Sequence, residues 1–214
     1  MTDPTHPRIG IMADSHGDPE AIEQGTLFLK RRGCTSLYHL GDICDTNRCD
    51  TADTCVALVK NLGILAIKGN NDHSLTVDAR GRSDNPVHRR TLAFLESLPL
   101  IRRMKEAELV HSRPDIRRLG LSAMIGTIGQ REALDYFRKR PRGLLFRGHS
   151  HKPELIRIEG TDIRFAPLHS EKVIDLNQCR PCIVTCGALY QGFVIIWDPV
   201  RETLTSCIRQ GGLK

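Results

Sequence analysis

The fold is decided by residues 8–33, RIGIMADSHGDPEAIEQGTLFLKRRG. Arg8 to Ala13 is a short apolar run that ends in a polar turn, which predicts a buried strand. Pro19 to Arg32 places its apolar residues at helical spacing and stops at Gly33, a residue type that commonly follows the C-terminus of a helix. This stretch therefore predicts a strand, a polar turn and a helix.

The same alternation recurs in the next segment. Ser36 to Leu40 and Ile64 to Lys68 are predicted as strands, and the intervening helix, Thr51 to Asn61, is closed by Gly63. A β-α-β-α-β order favours a parallel sheet with helices on its faces.

Beyond residue 73 the pattern predicts shorter elements. The middle of the chain is predicted to hold a long loop (Ser74 to Arg89), a short helix (Leu92 to Leu98), two strands (Ile101 to Lys105 and Glu108 to His111), a helix (Gln130 to Arg140) and a buried strand (Gly143 to Arg147). The last third is predicted to be a succession of short strands: Glu154 to Ile158, Asp162 to Phe165, Lys172 to Asp175, Cys182 to Cys186, Gly192 to Trp197 and Leu204 to Ile208. With neither an internal repeat nor a long linker, residues 1–214 are predicted to form a single α/β domain.

Composition narrows the class of protein. The net charge of +6 favours anionic partners such as phosphates, while the aromatic content of 5% is low for a nucleic-acid surface, so a long nucleic acid is not the expected partner. No apolar run approaches the roughly 20 residues that cross a bilayer. We therefore expect a cytoplasmic protein without membrane contact, in which the eight cysteines are reduced thiols rather than disulfides or zinc ligands.

Polar clusters follow four of the predicted strands. They are Asp14-Ser15-His16-Gly17, Gly41-Asp42-Ile43-Cys44-Asp45, Gly69-Asn70-Asn71-Asp72 and Gly148-His149-Ser150-His151, with His111 alone after a fifth strand. The carboxyl ends of the strands of an open α/β sheet meet at one crevice, so these side chains are expected to converge. Carboxylate and amide oxygens together with imidazoles suit first-row divalent metals. Seven such ligands are too many for one ion and about right for two ions that share a carboxylate.

The ordered set of motifs, D-x-H, G-D-x-x-D, G-N-x-D, H and G-H-x-H, resembles the calcineurin-like metallophosphoesterases, and more closely their small, single-domain bacterial and archaeal phosphodiesterases. The matching residues run from Ile9 to Pro153. The resemblance implies a four-layer α/β/β/α sandwich of two mixed β-sheets flanked by helices. It also implies two divalent ions, with manganese as the first expectation and iron, nickel or zinc as alternatives.

The same resemblance implies a role for each motif residue. The first metal would be held by Asp14, His16 and His151, the second by Asn70, His111 and His149, and Asp42 would bridge them. The implied reaction is hydrolysis of a small phosphorylated substrate, a phosphate ester or a nucleotide, through attack by a hydroxide that bridges the metals. Asp45 is predicted either to accept a hydrogen bond from a ligand histidine or to begin a helix.

One position departs from the family pattern. Many members carry a histidine general acid where this chain has Asn71, which cannot donate a proton in that way and so favours substrates with acidic leaving groups. His73 is an alternative donor, and Asp72 is expected to orient Asn71 or a ligand. The candidate catalytic residues are therefore Asn70, Asn71, Asp72 and His73.

Four alternatives remain open from the sequence. A protein phosphatase or a dinucleoside-polyphosphate hydrolase would usually carry Arg-Gly after the Gly-Asp motif and a G-N-H-E motif, and both are absent. A non-catalytic scaffold of the same fold is opposed by the complete ligand set, and a nuclease by the low aromatic content.

We further predict that at least one of Arg80, Arg82, Arg89 and Arg90 contacts substrate beyond the scissile phosphate.

Overall fold

The computed structural model describes residues 7–82, 84–104 and 107–209. Within these ranges the strands are β1 (Arg8–Met12), β2 (Cys34–His39), β3 (Leu65–Ala66), β4 (Ile101–Arg103), β5 (Glu108–Val110), β6 (Leu144–Arg147), β7 (Glu154–Glu159), β8 (Asp162–Pro167), β9 (Val173–Asp175), β10 (Cys182–Thr185), β11 (Phe193–Asp198) and β12 (Thr203–Ile208). The α-helices are α1 (Pro19–Arg31), α2 (Ala52–Asn61), α3 (Asn70–Asp78), α4 (Arg89–Ser97), α5 (Ile116–Leu119) and α6 (Gln130–Lys139), with short 3₁₀ turns between them.

The strands form two mixed sheets of six strands each. The first has the order β3-β2-β1-β11-β12-β9, in which β1, β2 and β3 are parallel and β11 joins β1 antiparallel. The second has the order β4-β5-β6-β10-β7-β8, with β5, β6 and β10 parallel. Because β1 to β3 and β5 to β6 each run in parallel, their carboxyl ends lie together at one edge of each sheet.

A core between the two sheets holds them face to face. It contains Ile11 of β1, Phe146 of β6 and Trp197 of β11, each at most 1% exposed, and the rings of Phe146 and Trp197 lie 5.3 Å apart. A second core packs α1 and α2 on the outer face of the first sheet, and a third packs α6 on the outer face of the second. The layers are therefore helix, sheet, sheet and helix, which confirms the predicted fold class.

The first helix begins at the predicted Pro19 and ends at Arg31, one residue before the predicted end. Asp18 caps it by accepting a hydrogen bond from the backbone N–H of Ala21, and Pro19 occupies the first helical position, where its missing N–H costs nothing. Its buried residues Ile22 and Leu29 lie on the face that contacts the sheet. This packing fixes the turn between β1 and α1, which carries Asp14 and His16.

The predicted loop from Ser74 to Arg89 is wrong in its first part. Residues Asn70–Asp78 form helix α3, which buries Leu75 and Thr76. Polar residues dominate this segment and leave only a few apolar positions to mark a helical period, so the pattern was too weak to detect. The strand predicted from Ile101 is observed as β4, and its predicted end at Lys105 lies outside the described residues.

The cysteines are free thiols, as predicted, and all except Cys49 are buried. In the described part of the chain, no helix combines the length and the apolar character that crossing a membrane requires.

Candidate metal centre

The loops that follow the parallel strands bring the predicted ligands to one place. Asp14 and His16 follow β1, Asp42 follows β2, and Asn70 begins α3 just after β3. His111 follows β5 of the second sheet, and the segment with His149 and His151 follows β6. Backbone hydrogen bonds of 3.0 Å tie these loops together, from Asp14 N to Gly41 O, from His16 N to Asp42 O and from Gly148 N to His111 O.

The first ligand group consists of Asp14, His16 and His151, whose ligand atoms all lie within 4.8 Å of one another. The Nε2 atoms of His16 and His151 are 3.0 Å apart, and His151 Nε2 is 3.7 Å from Asp14 Oδ1. Asp14 is fully buried, whereas the two imidazoles are partly exposed, so the group is open to solvent on its histidine side.

The second ligand group consists of Asp42, His111 and His149, whose ligand atoms also lie within 4.8 Å of one another. The side-chain oxygen of Asn70 joins it, at 3.0 Å from both His111 Nε2 and His149 Nδ1. Among the described residues, these two groups are the only clusters of three or more carboxylates, imidazoles and thiols with ligand spacing, and neither contains a cysteine.

Asp42 lies between the two groups. Its Oδ2 is 3.8 Å from His16 Nε2 of the first group and 3.5 Å from His111 Nε2 of the second. Asn71 fixes this carboxylate through two hydrogen bonds, from its backbone N–H to Oδ1 at 2.8 Å and from its side-chain amide to Oδ2 at 2.7 Å.

Hydrogen bonds outside the site set the tautomers of two histidines. His111 Nδ1 lies 2.7 Å from the Leu40 carbonyl, and His16 Nδ1 lies 3.0 Å from the Asp45 carboxylate. Because each of these acceptors takes a proton from Nδ1, the Nε2 atom of the neutral ring presents a lone pair to the site. Asp45 also accepts the backbone N–H of Asn47, so it fills both of the roles considered from the sequence.

The donor set fits divalent cations. In the neutral rings, the Nε2 lone pair of His111 faces the Asn70 carbonyl oxygen at 3.0 Å, and that of His16 faces another imidazole nitrogen at the same distance. Acceptors that face acceptors at hydrogen-bond distance repel unless a proton or a cation lies between them. Imidazole nitrogen with carboxylate and amide oxygen is a typical ligand set for first-row divalent metals, so the residues present suit such ions.

The pKa shifts of the buried carboxylates and of His111 also indicate a site that suits cations. Although burial disfavours its charged form, Asp42 keeps a pKa well below its usual range because His111 and Asn71 stabilise the carboxylate. Burial opposes the charged form of His111 as well, but the Asp42 carboxylate outweighs it and raises the pKa of His111 to about 9. Burial and then repulsion from Asp42 raise the pKa of Asp72 to about 7. The site therefore favours positive charge next to Asp42.

The backbone is strained where the ligands lie. Asp14, His16, Asp42, His149 and His151 all have φ between +48° and +69°, and only two other non-glycine residues in the described part of the chain have positive φ. Such conformations cost about 1–3 kcal/mol each and cluster at functional sites. This observation marks the same site independently of any sequence motif.

Asn71, Asp72 and His73 are neighbours in sequence but point in different directions. Asn71 holds Asp42, as described above. Asp72 is fully buried and accepts backbone N–H groups of Asp42, Cys44 and Gly69, each at 3.0 Å. Burial lowers the pKa of His73, and the charges that contribute are the cations Lys68 and Arg80. In this arrangement Asp72 is a positioning residue for the ligand loops.

Two of the arginines singled out from the sequence, Arg80 and Arg82, follow α3 and form ion pairs. Helix α3 begins at Asn70 and is nine residues long, so its end is about 13 Å from its start. Arg80 pairs with Glu96 at 3.8 Å, and Arg82 pairs with Asp84 at 3.3 Å. That at least one of Arg80, Arg82, Arg89 and Arg90 contacts substrate stays a prediction.

Two residues at the site were not singled out from the sequence. His39 is fully buried, its Nε2 lies 3.0 Å from the Ser15 hydroxyl, and burial lowers its pKa to about 4. Tyr190 is 37% exposed and places its hydroxyl 3.3 Å from His151 Nδ1. His39 lies within the predicted strand Ser36 to Leu40, whereas Tyr190 lies in a turn after β10 and belongs to none of the motifs.

Comparison with known proteins gives a consistent picture. A family model described as the calcineurin-like phosphoesterase superfamily domain matches residues 8–167. An uncharacterised protein of Methanocaldococcus jannaschii is 24% identical over an alignment of 197 residues, which covers 86% of this chain and 76% of that protein.

Solved structures share the fold. The crystal structure of a metallophosphoesterase from Sphaerobacter thermophilus aligns with a TM-score of 0.73 and 22% identity, over 95% of this chain and 88% of that chain. A structure described as that of a candidate diadenosine tetraphosphatase aligns with a TM-score of 0.62 and 16% identity, over 97% of this chain and 96% of that chain.

Proposed function

The chain belongs to the calcineurin-like phosphoesterase superfamily, and we propose that it is a metal-dependent phosphodiesterase that hydrolyses a small phosphate ester or nucleotide. The observation that carries this proposal is the pair of ligand groups with Asp42 between them. Such a pair suits two ions that act on one phosphoryl group.

Each proposed ligand has a structural reason for its assignment. Asp14, His16 and His151 form the first group and would hold one ion. His111, His149 and Asn70 would hold the other, because the Asn70 oxygen is equidistant from both imidazoles. Asp42 would serve both ions, since it approaches both groups to within 4 Å. Manganese is proposed first, with iron, nickel or zinc as alternatives.

Two bound divalent ions would supply an acidified water and would neutralise charge on the phosphoryl oxygens. The chain itself supplies orientation. Asn71 fixes the Asp42 carboxylate, while Asp45 and the Leu40 carbonyl hold the rings of His16 and His111 with Nε2 toward the site. Ligands held in this way need no rearrangement when substrate arrives, which is how positioning contributes to phosphoryl transfer.

The residues next to Asp42 favour substrates with acidic leaving groups. The Asn71 amide is committed to Asp42 Oδ2 at 2.7 Å, and an amide cannot protonate a departing alkoxide. Burial, followed by the charges of Lys68 and Arg80, lowers the pKa of His73 and so disfavours its protonated form. Aryl, nucleoside phosphate and pyrophosphate leaving groups depart with less proton transfer than simple alcohols.

The test combines metals with substrates. Protein stripped of metal is reconstituted separately with manganese, iron, nickel and zinc, and each form is assayed on bis-p-nitrophenyl phosphate, p-nitrophenyl phosphate, cyclic nucleotides and dinucleoside polyphosphates. We expect metal-dependent hydrolysis with the diester ahead of the monoester. Asp42→Asn is the inactive control for contaminating hydrolases.

Two results would change the assignment. Preference for the monoester would indicate a phosphatase, and preference for dinucleoside polyphosphates would indicate a hydrolase of that class. Metal binding without hydrolysis of any substrate would refute the enzymatic proposal and favour a binding role for the fold.

A further inference from the structure

The turn that carries Tyr190 is anchored to the metal centre by its backbone. It follows β10 and precedes β11, and the N–H of Leu189 donates to the carbonyl of Ala13 at 2.7 Å. Ala13 directly precedes Asp14 of the first ligand group. The position of Tyr190 beside that group is therefore set by main-chain contacts and not by its side chain alone.

The Tyr190 ring forms a wall beside the first ligand group. Its centroid lies 5.5 Å from the His151 ring and 5.7 Å from the His16 ring, in edge-on arrangements. Its hydroxyl oxygen is 3.3 Å from His151 Nδ1, and the side-chain amide of Gln191 donates to the same oxygen at 3.1 Å. The side chain remains 37% exposed, so a ligand can reach it.

The hydrogen bonds from His151 and Gln191 do not use the hydroxyl proton of Tyr190. His151 directs Nε2 toward Asp14 and His16, so as a neutral metal ligand it carries its proton on Nδ1 and donates that proton to the Tyr190 oxygen. Gln191 is also a donor to this oxygen. A phenol oxygen accepts two hydrogen bonds and donates one. Both neighbours fill the acceptor positions, and the hydroxyl proton is free to point elsewhere.

We propose that Tyr190 donates this hydrogen bond to a phosphoryl oxygen of the substrate bound at the first ligand group. The inference rests on the proposed phosphodiesterase function and deepens it by naming a substrate-contacting residue. A phosphoryl oxygen is anionic, and a hydroxyl donor next to an anion forms a short, charge-assisted hydrogen bond.

The first experiment measures binding of inorganic phosphate to the manganese-loaded protein by calorimetry. Tyr190→Phe removes the donor and keeps the ring, and we expect the phosphate Kd to rise by about 10- to 100-fold, the range for a hydrogen bond to a charged group. Tyr136→Phe is the matched control, because the Tyr136 hydroxyl is buried without a hydrogen-bond partner in the described structure and lies in α6, away from the ligands. This control should bind phosphate within about twofold of the unaltered protein.

The second experiment uses aryl phosphodiesters with leaving groups of different acidity. Tyr190→Phe should lower kcat/KM by a similar factor for every member of the series, since a phosphoryl oxygen is common to all of them. A loss that grows as the leaving group becomes less acidic would assign the proton to the leaving oxygen and overturn the proposal.

A manganese titration separates substrate contact from a purely structural role. Loss of the acceptor for His151 is expected to weaken manganese binding at the first group by up to about 100-fold. If phosphate affinity and kcat/KM return to their original values once manganese is saturating, Tyr190 only positions His151 and the proposal is refuted.

The outcome also distinguishes this inference from the proposed function. If the unaltered protein hydrolyses diesters and Tyr190→Phe matches it in every assay, the inference alone fails. If the unaltered protein hydrolyses no ester with any metal, the proposed function fails first.

Discussion

The close packing of Gly69 against Asp42 gives a direct test of how the chain positions its metal ligands. Gly69 precedes α3 and packs directly on the backbone and carboxylate of Asp42. A β-carbon at this position would overlap the Asp42 nitrogen and Oδ1, which are main-chain and hydrogen-bonded atoms without freedom to move. Gly69→Ala should therefore displace Asp42, the residue that lies between the two ligand groups.

The packing around Gly69 sets the expected loss of folding stability in Gly69→Ala. Overfilling a packed interior by one carbon costs about 1–3 kcal/mol, and rigid neighbours place this site at the upper end. A loss of about 3 kcal/mol lowers the melting temperature by roughly 6–12 °C in a chain of this size. We expect this loss in thermal unfolding of the metal-free protein, and weaker manganese binding in calorimetry, because both ligand groups use Asp42.

Gly129 provides a matched control. Gly69 and Gly129 both precede a helix, have φ of −97° and −98°, and donate their N–H to an acidic residue three positions on, Asp72 or Glu132. A β-carbon on Gly129 would meet only the flexible end of Glu132, at 3.2 Å. Gly129→Ala therefore isolates the helix-start effect of about 1 kcal/mol or less. Equal melting temperatures and equal manganese binding in the two variants would refute the reasoning.

Four further predictions follow from the same structure. Elemental analysis should find two manganese ions per reconstituted chain; Asp42→Asn should lower both and His16→Ala mainly one, and an unchanged metal content in Asp42→Asn would remove Asp42 from its bridging position. Asp72→Ala should lose about 3 kcal/mol of stability in thermal unfolding, because three buried N–H groups lose their acceptor. Rates on aryl diesters should rise steeply with leaving-group acidity, and Asn71→His should flatten that dependence; a flat series for the unaltered protein would show that another donor acts. A thiol reagent should modify Cys49 alone in the native protein and all eight cysteines after unfolding.

The sequence predicted those parts of the fold that rest on strong local patterns. The apolar run before Asp14 and the helical spacing after Pro19 each specify one element, and the structure has β1 and α1 there. The face-to-face packing of the two sheets was predicted only from the family resemblance. The contact of Phe146 with Trp197 joins residues 51 positions apart, so it leaves no local pattern in the sequence.

In the candidate site as well, the sequence predicted some residues and not others. Ligand candidates could be identified because each follows a strand, and parallel strands of one sheet end at a common edge. The roles of their neighbours could not, because successive residues of a helix point about 100° apart. Asn71 therefore holds the Asp42 carboxylate, Asp72 accepts backbone N–H groups of the same loop, and His73 lies near Lys68. Tyr190 reaches the site across 39 residues from His151, and nothing in its own turn marks it.

Hydrogen bonds within the chain support the strained backbone of the ligand loops. Left-handed conformations at five ligands cost about 1–3 kcal/mol each and persist only where the surrounding structure holds them. Here the chain holds them with its own hydrogen bonds. The Asp14 and His16 N–H groups donate to the loop after β2, and His149 N–H donates to Asp14 Oδ2 at 2.9 Å. Because these hydrogen bonds hold the ligand backbone, they lower the conformational entropy that cation binding would cost, and more of the interaction energy contributes to affinity.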